Sequence, residues 1–417
     1  MVAKEKMVST LPGLKYPTGR DAALKTGAGW LEGKRQDDGA EGLWRVGDKL
    51  YDLDGWARNH PGGNEWITLT KGTDITEAFE AHHITLAAER LLPKFYVREA
   101  VGPRACPFTF KPDGFYRKFK ARAREALKDV DFHRPSRTSN LIADSLFATT
   151  LALCWIAAST QSWIAIVGSI FLTWTTISSH NFFHQRDSFR MYYFDMSLMS
   201  SKEWRISHAL SHHLYTNTLL DLEISMFEPF FQYLPKKDKS IIPRFLSWIY
   251  FPLVYTVLFF GNFEGPEIRD AVPFLIPTLM CFAAPPALAI ISWLKILAVA
   301  SFHFSLVGLN AAHHHPDIYH DGDARREDTD WGLAELDTVR DRVEIETSYF
   351  LVLTHFGSHA LHHLLPTVDH AYLNLCEPAL IQTCEEFGIN SELWSQWKLQ
   401  IERYSSPGTG APYQPGR

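Results

Sequence analysis

His180-Asn181-Phe182-Phe183-His184 closes an apolar run, and its form returns as His208-Ala209-Leu210-Ser211-His212-His213 and again as His359-Ala360-Leu361-His362-His363. On an α-helix, residues four apart share a face, so two imidazoles of one box reach one metal, and the doublets let adjacent positions serve two. A single pair of this kind is common in structural and zinc-binding helices. Three boxes, each following or closing a hydrophobic segment, predict a dinuclear centre with His180, His184, His208, His212, His213, His359, His362 and His363 as ligands. Histidine is concentrated here, with 14 of the chain's 19 lying between His180 and His363. Imidazole-rich donor sets suit iron, zinc or copper, whereas carboxylate cages suit calcium or magnesium. The soluble di-iron carboxylate pattern needs two Glu-x-x-His elements on paired helices. Only Glu80 to His83 has that form.

Toward the N-terminus, His60-Pro61-Gly62-Gly63 follows the strand-like run Lys49-Leu50-Tyr51-Asp52-Leu53, and the pair His82-His83 comes 22 to 23 residues later. Two imidazoles from opposite walls of a pocket can ligate one haem iron axially, and the glycines let the backbone pass close to the porphyrin edge. With both axial positions filled by protein, such a haem moves electrons and does not bind oxygen. An electron carrier is useless to redox-inert zinc, so the metals of the boxes are read as iron. The expected cofactors are haem b and two iron ions.

The 417 residues are 46% hydrophobic and 21% charged, enough for two domains. Residues 1–137 are charged and glycine-bearing, whereas Leu146 to Ile177 and Ala271 to Leu294 are too apolar for water-facing elements. A formal net charge of −6 without a basic tract argues against a nucleic-acid partner. The five cysteines form no CxxC pair and read as reduced, buried thiols. The first long apolar run begins near Leu141, so no signal peptide is visible and the N-terminal domain is expected to stay cytosolic. The expected division is a flexible leader (1–40), a haem-binding domain (41–103), a linker with a helix at the membrane interface (104–140), a membrane domain (141–390) and a tail (391–417).

A first hydrophobic hairpin runs from Leu141 to Ala158 and from Trp163 to Ser179, with Arg134 and Arg137 before it and Arg186, Arg190, Lys202 and Arg205 after it. Both of its ends therefore belong in the cytosol. Three more apolar stretches follow: Phe245 to Phe260, Ala271 to Ile290 and Ile291 to Asn310. If all three crossed, the histidines after Asn310 would lie opposite those after Ser179, and no shared site could form. Parity predicts that 245–260 is interfacial and that a second hairpin spans 271–310, with Pro285-Pro286 near its far tip. That gives four membrane-spanning helices.

Tyr51-Asp52-Leu53, the His60-Pro61-Gly62-Gly63 turn and Gly72-Thr73-Asp74-Ile75-Thr76-Glu77-Ala78-Phe79 together resemble the cytochrome b5 family across the unit from Trp44 to Val101. The resemblance implies an α+β haem domain. In b5 domains fused to desaturases a phenylalanine precedes the second ligand by four, which implies His60 and His83 as the axial pair and His82 as a neighbour. The three boxes behind such a domain, with Leu364-Leu365-Pro366-Thr367 after the last, resemble the membrane fatty acyl desaturase superfamily over residues 44–390, and within it the cytochrome b5-related proteins of animals. This implies an all-α transmembrane domain, a lipid or fatty acyl substrate, O2, and electrons from NADH through a separate NADH–cytochrome b5 reductase. It also implies a multi-pass protein of the endoplasmic reticulum membrane with both termini cytosolic.

Two departures bar any transfer of regiochemistry: His359 stands where front-end desaturases usually have glutamine, and Asn181 where they have aspartate. The run from Asn310 to His315 resembles the Asn-and-His element that completes one iron shell in acyl desaturases. Asn310 and His314 are four apart and share a helix face, whereas His313 is rotated by about 100° from His314. His314, with Asn310 acting through water, is therefore expected to complete the shell. His303, His133, His320 and His370 read as structural, and His355 as a ligand or a ligand's partner. A lipid hydroxylase with the same cofactors is the alternative reading, and a membrane-anchored haem electron carrier a third.

Overall fold

The computed structural model describes residues 7–235, 239–260, 268–308, 313–314 and 318–390. Strands β1 (Trp44–Val46), β2 (Lys49–Tyr51) and β3 (Tyr96–Glu99) form an antiparallel sheet in the order β1-β2-β3. Trp44, Tyr51 and Leu53 pack with Ala57, Ile67 and Ile75 into a small core beside the short helices Asn64–Leu69 and Thr76–His82. Beyond β3, every helix or strand among the described residues is helical. A small α+β domain thus precedes a mostly helical one.

The leader is not the structureless segment expected from its lack of hydrophobic periodicity. It carries a helix, Gly27–Asp37, whose N-terminus is capped by the Thr26 hydroxyl accepting from the Gly29 amide at 3.1 Å. The leader is attached by scattered apolar residues, Leu11, Leu14 and Trp30, that pack on the core shared with Trp331, and by polar contacts, neither of which leaves a periodic trace. The Ser9 hydroxyl donates to Asp321, Arg20 makes a two-pronged pair with Glu228, the Gly27 amide donates to Glu203 and the Trp30 indole donates to the Leu220 carbonyl.

The linker helix, Phe115–Ala126, also departs from expectation. Phe115, Tyr116, Phe119 and Ala123 are fully buried and join one core with Ala81, Ile84, Trp331, Leu361 and Cys384. Its apolar stripe thus faces protein and not lipid headgroups. Its bases do likewise: Lys118 and Arg122 pair with Glu386, and Arg117 and Lys120 with Glu80.

Three helices among the described residues are long and apolar enough to cross a membrane by length and composition: Arg137–Thr160, Ile242–Phe260 and Pro286–Gly308. The set differs from the four expected. Ile164–Phe183 has 20 residues but ends in the polar turn that carries His180 and Asn181. The 271–290 leg is interrupted at Pro273, giving a 3-10 segment, Ile268–Phe274, and a seven-residue helix, Leu275–Cys281. Ile242–Phe260, expected at the interface, is the third long one.

Hydrogen bonds fix the relative heights of these helices. Ser292, near the start of Pro286–Gly308, donates to the Gln161 side chain at the tip of the first hairpin, at 3.2 Å. Lower down, Thr173 donates to the Ala300 carbonyl at 3.1 Å, and the Ser301 hydroxyl donates to the Tyr255 carbonyl at 2.6 Å and accepts from the Phe259 amide at 3.1 Å. The last turns of Ile242–Phe260 therefore stand level with Thr173, about two turns from His180.

Candidate metal and haem sites

The histidine boxes converge at one end of the apolar helices. His180 lies in the last turn of Ile164–Phe183, and His184 follows just beyond it. His359, His362 and His363 lie on the helix His359–Leu364. The second box is a π-helix, Arg205–His212. There the hydrogen-bonded repeat is five residues and not four, so His208 pairs with His213 and not, as α-helical spacing predicts, with His212.

Two groups result. His180, His184, His208, His213 and His362 form the first, with Nε2···Nε2 separations of 2.8 Å for 180–208, 3.1 Å for 180–184, 3.1 Å for 180–362 and 3.0 Å for 208–213. His212, His313 and His363 form the second, with His212 and His313 3.2 Å apart. His359 joins it through His313 at 2.6 Å.

The outer nitrogens show why these rings face one another. His208 Nδ1 lies 3.1 Å from Glu223, His212 Nδ1 2.9 Å from Asp221, His363 Nδ1 3.0 Å from Glu335 and His313 Nδ1 2.9 Å from the Thr338 carbonyl. An Nδ1–H that donates to oxygen leaves a bare lone pair on Nε2. Lone pairs aimed at each other repel unless a cation stands between them, and oxygen-backed imidazoles are the usual arrangement of metal-bound histidine. Burial pushes Glu335 up to about 8. The donor set fits two metal ions of the iron, zinc or copper class.

His313, and not His314, faces this cluster. The described helix ends at Gly308, and His313 and His314 are not helical, so the shared-face argument for His314 does not apply. His314 stacks instead on Tyr233 at 4.0 Å, with its Nδ1 3.5 Å from His320. Asn310 lies outside the described residues. Asn181, flagged as a departure, ties the first box to the segment after the third: its amide donates to Asp369 at 2.9 Å, and His370 Nδ1 lies 2.8 Å from its oxygen. His355 is turned toward Thr354 and Trp174.

In the N-terminal domain the rings of His60 and His83 stand 6.2 Å apart, centre to centre. Two imidazoles bound to one metal from opposite sides at about 2.0–2.1 Å have centres about 6 Å apart. His60 Nδ1 lies 2.9 Å from the Gly63 carbonyl and His83 Nδ1 2.9 Å from the Phe79 carbonyl. In each case Nε2 is left for the metal. Burial, partly offset by the Phe79 carbonyl, pulls His83 down to about 4, so it is held in the neutral, ligating form. The cavity between the two rings measures about 520 Å³ and is lined by Pro61, Gly62, Phe79 and Leu92 among others, so the residues fit a haem. His82 also borders it, its ring 5.3 Å from Trp66. His83→Ala is expected to abolish haem binding, and His82→Ala to retain a low-spin absorption spectrum. The reverse pattern would exchange their roles.

Gly63 has a part not foreseen. Its φ is +116°, and a Cβ there would run into the Asp187 carboxylate of the helical domain. The two domains meet at this point. Arg205 is buried between Glu65 at 2.8 Å and Asp187 at 2.6 Å, and lies over Trp66. The sequence reading also missed the carboxylates behind the ligands. Asp221 and Glu223, acids set among apolar neighbours in Leu219-Leu220-Asp221-Leu222-Glu223-Ile224, were the available signal.

The fatty acid desaturase family model matches residues 155–391, and the cytochrome b5-like heme/steroid binding domain model matches residues 31–101. The chain is 47% identical to the cytochrome b5-related protein of Drosophila melanogaster, over 89% of each chain. It is 25% identical to an acyl-lipid (8-3)-desaturase of Mortierella alpina, over 51% of this chain and 52% of that one. It is 21% identical to a probable Delta(5) fatty acid desaturase of Dictyostelium discoideum, over 92% and 96%. No solved structure matches the chain.

Proposed function

From the premise that this chain belongs to the fatty acid desaturase family and carries a cytochrome b5-like domain ahead of it, we propose that it desaturates a lipid or fatty acyl chain. In overall terms –CH2–CH2–, O2, two electrons and two protons become –CH=CH– and two waters. The observation that carries the reading is the convergence of nine histidine side chains, in two groups, beside a bis-histidine cavity. The first group would hold one iron through His180, His184, His208, His213 and His362. The second would hold another through His212, His313, His359 and His363.

When bound, haem supplies single electrons, and an iron pair reduces O2 to an oxidant able to take hydrogen from an unactivated methylene. The protein's part is arrangement. Asp221, Glu223, Glu335 and the Thr338 carbonyl orient the imidazoles and raise their basicity. Phe304 and Phe356 pack beside the cluster on its apolar side, in line with a greasy substrate arriving from the bilayer.

The proposed topology has four crossings. Ile164–Phe183 returns the first hairpin, and 268–281 climbs to the tip that Pro286–Gly308 descends from. The height of Tyr255 and Phe259 beside Ser301 supports a partly inserted Ile242–Phe260 on the metal-site side. Both termini are then cytosolic, in the endoplasmic reticulum membrane, where an NADH–cytochrome b5 reductase can supply electrons.

The test is lipid profiling of cells with the chain, without it, and with His212→Ala or His362→Ala. New double bonds that depend on both histidines support the reading. Hydroxylated chains in their place assign it to the hydroxylases, and an unchanged profile with iron-loaded protein defeats it.

A further inference from the structure

The haem cavity is not closed by the haem domain. Its opposite wall comes from the helical domain and includes Phe132, His184, Gln185 and Leu210. His184 thereby belongs to two sites. Its Nε2 lies 3.1 Å from His180 Nε2 inside the five-histidine group, while its Nδ1 is buried without a hydrogen-bond partner. Across the same cavity, His82 presents a buried Nε2 that also has no partner. Trp66, which His82 packs against, touches Ala209 and Leu210, on the back of the helix that carries His208 and His212. None of His212, His313, His359 and His363 lines the cavity.

The haem domain is held against this wall by buried charge, namely Arg205 between Glu65 and Asp187, and Lys120 on Glu80 at 2.8 Å. Gly62 accepts from the Asp187 amide at 3.3 Å. A donor seated this way has one metal group beside it and the other behind. We infer that reducing electrons reach the metal centre through the wall formed by His184 and Leu210 and the facing His82, and so arrive at the five-histidine group before the group of His212, His313, His359 and His363. This rests on the haem and iron reading above. In the step, one electron leaves a ferrous haem, which becomes ferric, and one ferric ion of the five-histidine group becomes ferrous. No atom is transferred. His184 is the ligand at the crossing, and His82 is a positioning residue that fills the gap.

The experiment uses the full chain loaded with haem and ferric iron. The haem is reduced anaerobically in the absence of lipid, and its reoxidation is followed by absorbance, so that turnover is not the readout. The iron-free, haem-loaded chain is the reference. If unaltered protein reoxidises no faster than that reference, the proposed function itself fails. If it does reoxidise faster, three variants test the inference. His313→Ala, which perturbs only the far group, is expected to keep the fast phase. His184→Ala is expected to lose it while iron remains in the far group. His82→Leu is expected to slow it by about tenfold or more, with haem spectrum and iron content unchanged. Loss of the fast phase in His313→Ala, with retention in His184→Ala, overturns the order of arrival. A folded His82→Leu protein at the unaltered rate removes His82 from the path, and retention in His184→Ala removes the crossing.

Discussion

On the two-iron reading, replacing His313 by alanine is expected to remove about half of the bound iron, and replacing His314 to leave the iron content unchanged. The expectation follows from where each ring points. His313 stands 3.2 Å from His212 and 2.6 Å from His359, with its outer nitrogen fixed by the Thr338 carbonyl. His314 is stacked on Tyr233 and belongs to neither group. With His313 gone, the second group keeps His212, His359 and His363, while the first keeps all five of its imidazoles. Iron per chain, normalised to haem absorbance, reads this directly. Equal iron in the His313→Ala and unaltered proteins, or a loss confined to His314→Ala, would falsify the assignment.

The carboxylates behind the ligands should matter nearly as much. Glu335→Leu is expected to weaken iron binding at the second group about 10–100-fold, the range seen when a ligand loses its hydrogen-bond partner. Glu335 is buried, lies 3.0 Å from His363 Nδ1 and accepts from the Thr216 hydroxyl at 2.7 Å. Leucine fills the space but accepts nothing, leaving the His363 N–H only the Thr216 hydroxyl at 3.3 Å and its ring less firmly held. Glu335→Gln keeps an acceptor oxygen and should lie between the two. Competition against a graded chelator supplies the curve, with the exposed Glu327→Gln as control. Superimposable curves for Glu335→Leu and the control would show that His363 does not depend on this partner.

What the sequence made legible was the chemistry that repeats. Box spacing located eight of the nine clustered histidines, because residues bound to helices carry their neighbours at fixed intervals. The ninth, His313, was misread because it lies beyond the helix, in a segment aimed by a tertiary contact to Thr338 that leaves no local mark. Pairing within the second box was misread for a related reason, since nothing in Arg205–His212 announces a π-helix, whose bonds are settled by packing. The leader and the linker helix failed differently. Periodicity measures a buried stripe but not what buries it. Phe115, Tyr116 and Phe119 would look the same facing lipid or Trp331. Parity alone suggested that 245–260 is interfacial, and length and composition do not distinguish that segment from a crossing helix.

The leader runs onto the desaturase domain at Glu203, Leu220 and Asp321, and the segment after Pro103 runs onto it through Phe115–Ala126, so the haem domain is tethered at both ends. A donor on one linker searches a volume, and its effective concentration falls as that linker lengthens. With two tethers there is no search, and free cytochrome b5 added from outside finds its landing place already taken. The disadvantage appears in refuelling. A haem stores a single electron and desaturation consumes two, while a seated donor cannot trade places with a fresh one. Under the proposed function, every product molecule therefore requires the same haem to be reduced twice.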